Sequence, residues 1–152
     1  MDYKFELTEQ QAQPVLSMRT TTSVANLPQV FGKAYGAIIN YLNEIGEKPV
    51  EAAFAAYYNM DMENLDVEMG FPVARQIAGK GDIKAGEIPA GKRVSCLYKG
   101  PYRGVEPVYK AMMQWINENG YTPSGIAYEF YYNAPDEVSE NELLTKIVFP
   151  LK

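Results

Sequence analysis

Glu129 is the only charged residue in the run Tyr128-Glu129-Phe130-Tyr131-Tyr132. Burying an unpaired carboxylate is costly, and the usual responses are a raised pKa or a partner. An organic cation is one such partner, because each tyrosine face around it adds about 0.5–2 kcal/mol of cation–π attraction. Aromatic walls are non-directional, so a site of this kind accepts ligands of many shapes. Two other readings of Glu129 stand beside this one: a solvated carboxylate on an edge strand, or one paired with a basic residue such as Arg19. Glu68, in Asp66-Val67-Glu68-Met69-Gly70-Phe71, is the second candidate carboxylate. If the chain is an enzyme, Glu129, assisted by Glu68, would act as general base for water, with Tyr57 or Tyr131 as hydrogen-bond donor.

The composition narrows the chemistry further. There is no histidine among 152 residues, which removes Ser-His-Asp and Cys-His catalysis and any His-ligated zinc, iron or haem. A single cysteine, Cys96, excludes an intrachain disulfide and a cysteine-based cluster. Any chemistry left rests on carboxylates, hydroxyls, amines and aromatic faces, and no metal and no cofactor is expected. The formal net charge of -5 disfavours binding to a phosphate backbone, and no Lys/Arg cluster stands out. No apolar run approaches the ~18 residues needed to span a bilayer, and the N-terminus lacks a signal-peptide pattern. A cytoplasmic, monomeric protein without direct DNA or membrane binding is expected. Tyrosine is abundant, with 12 copies, and suits either an ordinary core or an aromatic-lined site.

The elements that must position these residues occur twice. Tyr57-Tyr58-Asn59 returns as Tyr131-Tyr132-Asn133, at an offset of 74 residues. Holding that offset over 30–59 and 104–133 gives ten identities, among them Tyr35/Tyr109, Gly46/Gly120 and Pro49/Pro123, where chance gives about two. Phe71-Pro72-Val73 returns as Phe149-Pro150-Leu151, at an offset of 78. This is a tandem duplication. Each copy opens with an apolar strand, Val15 to Arg19 or Val94 to Tyr98. A helix follows, with apolar residues three and four apart: Leu27, Phe31, Ala34, Ile38 and Leu42 in one copy, Val105, Val108, Met112, Trp115 and Ile116 in the other. Asn26 is the expected N-cap of the first helix, and Gly46 and Gly120 follow the two helices. Two strands complete each copy, at 52–58 and 66–73, then 126–132 and 143–149.

The expected organisation is one α+β domain over 1–152: repeat 15–73, a Gly-rich linker 74–93 with a short strand around Ile83, and repeat 94–151. Two tandem duplicated β-α-β-β units would form one antiparallel sheet, with two long helices on one face and a ligand groove on the other. Alternation puts Glu129 and Tyr131 on one side of their strand and Tyr128, Phe130 and Tyr132 on the other. The second set is the more apolar and is expected beneath the helices, which leaves Glu129 and Tyr131 in the groove. Tyr57 aligns with Tyr131. Glu68 is expected in the groove as well, or paired with Lys146, its counterpart in the other copy. Ala55 aligns with Glu129, so one such carboxylate is expected and not a symmetric pair.

Ile88-Pro89-Ala90-Gly91, Lys99-Gly100-Pro101-Tyr102, the run Trp115 to Tyr121, Tyr128-Glu129-Phe130-Tyr131 and the closing Leu143 to Leu151 together resemble the GyrI-like small-molecule-binding domains. Val67-Glu68-Met69-Gly70-Phe71-Pro72-Val73 adds to the likeness. Such domains form the effector-binding part of AraC-type and MerR-type multidrug regulators and also stand alone. The resemblance implies a duplicated β-α-β-β fold and an aromatic pocket whose buried glutamate meets lipophilic cations. Its Glu-x-Tyr strand motif falls on Glu129 and Tyr131. It also implies two alternatives: hydrolysis of cyclopropane-bearing genotoxins, or a protein-interaction role such as gyrase protection. Ligand contacts are expected from Glu129, Tyr131, Tyr57, Glu68 and Tyr102. Tyr102 follows a Gly-Pro turn and is either part of the pocket mouth or turn chemistry alone. With no residues left for a helix-turn-helix, the chain resembles a stand-alone member.

Overall fold

Apolar residues alternating with polar ones draw the chain into strands, and the two stripes of three- and four-residue spacing draw it into helices. The computed structural model describes residues 3–152. In chain order these form β1 (Phe5–Gln10), β2 (Gln13–Thr22), α1 (Leu27–Glu44), β3 (Ala53–Tyr57), β4 (Leu65–Pro72), β5 (Lys84–Ile88), β6 (Gly91–Lys99), α2 (Val105–Glu118), β7 (Ala127–Tyr131) and β8 (Leu144–Pro150). The class is α+β, as expected. No helix among the described residues is long and apolar enough to cross a membrane.

The strands and helices divide into two compact units. The first-repeat unit, Gln11–Ala90, orders its strands β5-β2-β4-β3 and carries α1. The second-repeat unit joins the chain up to Gln10 with Gly91–Lys152, orders its strands β1-β6-β8-β7 and carries α2. All pairings within each unit are antiparallel. The duplication is visible in the ladders. Val15 pairs with Pro72, and their counterparts at an offset of 78, Arg93 and Pro150, pair with each other. Phe54 pairs with Gly70, and Tyr128 with Val148.

Two strands modify the expected plan. The segment 74–93, expected as a linker with a short strand around Ile83, contributes β5 just after that residue, and β5 pairs with β2. Residues Phe5–Gln10, to which no element was assigned, form β1 and pair with β6. Each repeat is thus preceded by a strand that hydrogen-bonds within the other unit.

In the second-repeat unit, Val108, Met112 and Ile116 of α2 pack on Val94, Cys96, Ile147 and Phe149. In the first, Ile38 and Leu42 of α1 pack on Leu16, Val73, Ile77 and Ile83. Gly70 sits where a Cβ would lie 2.0 Å from the Leu16 carbonyl oxygen, so β2 and β4 approach closely only because that side chain is absent. Asn26 does not cap α1 with its side chain. A single 3-10 turn, Val24–Asn26, precedes the helix, and Ser23 Oγ accepts the Asn26 N–H at 3.4 Å. Asn26 already has helical backbone angles (φ -91°, ψ -5°), whereas a capping side chain needs an extended backbone.

Candidate functional site

Residues directly opposite each other in a ladder share a face. Glu129 of β7 lies opposite Ile147, and Tyr131 opposite Thr145. Ile147 belongs to the core cluster beneath α2. Glu129 and Tyr131 therefore face the helix, and Tyr128 and Phe130 face away from it. This inverts the expected assignment. The cause is the helix itself: Tyr109, on the buried side of α2, donates its hydroxyl to Glu129 Oε2. The more apolar set did not need the helix, because Tyr128 and Phe130 are buried on their own side of the strand.

The Glu129 carboxylate is 9% exposed and accepts from two phenols, Tyr109 at Oε2 and Tyr131 at Oε1 (2.9 Å). Neither of the bland readings holds: it is not a solvated edge residue, and Arg19 is engaged elsewhere, in a two-point pair with Asp66 at 2.8 and 2.9 Å. Burial pushes the Glu129 carboxyl above its usual range, against the opposing pull of the two phenol hydrogen bonds. Tyr102 meets Tyr131 edge to face, with ring centroids 5.9 Å apart, and is 39% exposed. Burial, and secondarily the Glu129 charge, raise the Tyr102 phenol above its ordinary value. Tyr109 is braced edge to face on Phe149 at 5.3 Å.

The loop that carries Tyr102 has a local cause. Gly100, at φ +147°, turns the chain after β6, and the Tyr98 hydroxyl donates to the Pro101 carbonyl at 2.8 Å. A Cβ at Gly104 would lie 2.2 Å from that hydroxyl oxygen. A single 3-10 turn, Tyr102–Gly104, then leads into α2.

Glu129, Tyr131 and Tyr102 are thus brought together in the second-repeat unit. Tyr109 joins them, although no site role was assigned to it. Its signal was present: it is identical to Tyr35 in the other repeat and lies one helical turn from Val105 and Met112. Thr145, opposite Tyr131, was also missed. Its Oγ1 is fully buried and has no hydrogen-bond partner among the described residues.

Tyr57 and Glu68 lie in the first-repeat unit. Tyr57 pairs with Val67, and Ala55 with Met69. Met69 lies opposite Met18, which packs against the α1 cluster, so Tyr57 and Ala55 face α1. Glu68 faces the other way. It accepts from Ser17 Oγ at 2.5 Å and Tyr58 Oη at 2.5 Å. Within this unit, Ser17 of β2 and Tyr58, the residue after β3, satisfy the carboxylate. Arg19 stacks over the Tyr58 ring at 3.7 Å. Tyr35, the counterpart of Tyr109, finds Ala55 where Glu129 stands in the other copy and donates instead to the Phe54 carbonyl at 2.7 Å. No group of acidic or cysteine residues suited to a metal ion occurs among the described residues.

The fold has solved counterparts. The C-terminal domain of EcmrR is similar over 100% of this chain and 99% of that one, at 24% identity and a TM-score of 0.80. In the EcmrR–DNA complex, this chain spans only 57% of the length of EcmrR. A hydrolase from Listeria innocua is similar over 98% of this chain and 92% of its own, at 12% identity and a TM-score of 0.74. SAV2435, solved bound to tetraphenylphosphonium, is similar over 100% and 94%, at 11% identity and a TM-score of 0.64. No curated protein matches. The model of the GyrI-like small molecule binding domain matches residues 3–152, and the chain belongs to that family.

Proposed function

We propose that this protein binds lipophilic organic cations at Glu129, with Tyr109, Tyr131 and Tyr102 as the aromatic surround. The observation that carries the reading is a buried carboxylate whose hydrogen-bond partners are two phenols. Phenols stabilise the negative charge without cancelling it, so the site keeps a formal anion in an apolar, aromatic setting. A bulky cation supplies the missing charge and brings its own apolar surface to the rings. The binding of tetraphenylphosphonium by SAV2435 supports the same ligand class. Tyr102, the most exposed of the four, is the contact nearest solvent and the first to meet an entering ligand.

The test is a calorimetric titration with tetraphenylphosphonium and, separately, with neutral triphenylphosphine oxide. The phosphonium should bind with a Kd on the order of micromolar, and the oxide at least tenfold more weakly. Equal affinity for both would remove charge recognition from the reading.

A further inference from the structure

The face of the second-repeat unit turned away from α2 carries a groove of about 800 Å³, separate from the Glu129 site. Its lining includes Ser95, Leu97, Tyr132, Leu144 and Lys146. At the repeat offsets of 78 and 74, these five are the counterparts of Ser17, Arg19, Tyr58, Asp66 and Glu68. In the first-repeat unit that set is closed on itself. Ser17 and Tyr58 hydroxyls hold the Glu68 carboxylate, and Arg19 is paired with Asp66.

In the second-repeat unit the two hydroxyl residues are kept and the charges are replaced. Lys146 stands where Glu68 stood, and the Arg–Asp pair has become Leu97 and Leu144. Lys146 makes no ion pair among the described residues, and neither does Lys4 at the edge of the same groove. One carboxylate, Glu6, also lines it, which leaves one net positive charge in a chain of formal charge -5. Leu97 is 60% exposed and Tyr132 42%, so apolar surface lies open beside the ammonium groups.

We infer that this outer groove is a second binding site, for an amphipathic organic monocarboxylate. The ligand carboxylate takes the place that Glu68 fills in the other repeat, between Ser95, Tyr132 and Lys146, with Lys4 as a second cation. Its apolar tail covers Leu97 and Leu144. A single net charge in the groove favours a monoanion over a phosphate dianion. The site differs from the Glu129 site in the sign of its ligand and in the face of the sheet it uses.

The probe is octanoate, followed by amide chemical shifts and by calorimetry, with octylammonium and octanol as charge-reversed and neutral controls. Octanoate should shift the Leu97 and Lys146 amides saturably, and the controls should not. Lys146→Glu, which restores the first repeat's residue and its internal hydrogen bonds, should weaken octanoate at least tenfold, as should Leu97→Ser combined with Lys4→Gln. Glu129→Gln should leave octanoate affinity unchanged. Thermal melts of each variant establish that it is folded. The proposal is overturned if octanoate gives no saturable shift, if octanol or octylammonium shifts the same amides equally, or if folded Lys146→Glu protein binds octanoate like the parent.

Discussion

Replacing Glu129 by Gln removes one negative charge and keeps the shape of the side chain. A monovalent cation whose charge centre lies about 6 Å from the carboxylate, at an effective dielectric of about 20, is attracted by about 3 kcal/mol. That corresponds to about a hundredfold in Kd. The amide dipole recovers part of it, so tetraphenylphosphonium should bind Glu129→Gln about 30- to 100-fold more weakly by calorimetry, with triphenylphosphine oxide unchanged. The charge of the phosphonium is fixed, so any pH dependence comes from the protein. Burial holds the Glu129 carboxyl above its ordinary range, so acid protonates it sooner than a solvent-exposed glutamate. Parent affinity should therefore be flat above that raised pKa, fall by up to about tenfold per pH unit below it, and level off near the affinity of Glu129→Gln once the carboxyl is fully protonated. Glu129→Gln should show no such slope. A loss below about threefold, or an equal loss for the neutral oxide, would refute the electrostatic reasoning.

Three further outcomes follow from the same geometry. Because its folded pKa is raised, Glu129 keeps its proton where the unfolded chain has already lost it, and so it subtracts stability as pH climbs past about 4.3. Glu129→Gln should melt above the parent at neutral pH, and the difference should vanish in acid below that value. Tyr109→Phe deletes one of the two donors, which raises the Glu129 pKa further. The acid limb of phosphonium binding should move to higher pH, by calorimetry at a series of pH values, while the fold is retained. Gly70→Ala forces a Cβ against the Leu16 carbonyl oxygen and should cost about 3 kcal/mol or more by urea unfolding.

The repeat was legible because the two copies kept residues that the fold needs at fixed ladder positions. The offsets of 74 and 78 reappear as matching pairings, Phe54–Gly70 with Tyr128–Val148 and Val15–Pro72 with Arg93–Pro150. The face of Glu129 was not legible. Tyr128, Glu129 and Phe130 are all buried, and a strand covered on both sides gives no contrast between an inner and an outer set. Hydropathy alone then places the carboxylate away from the helix. What places it beneath α2 is the pair of phenol donors, one of which, Tyr109, comes from the helix itself. The partners of Glu68 were hidden for a related reason: Ser17 and Tyr58 are distant in sequence and become neighbours only once β2, β3 and β4 are aligned. Strand β1 was overlooked because its alternation is weak and most of its residues are exposed.

The decisive measurement is a crystal structure of the protein with tetraphenylphosphonium bound. The phosphorus should lie within about 6 Å of the Glu129 carboxylate, with aryl groups against Tyr131 and Tyr102. A phosphonium bound elsewhere, with Glu129 still enclosed by its phenols and touching no ligand, would contradict the account.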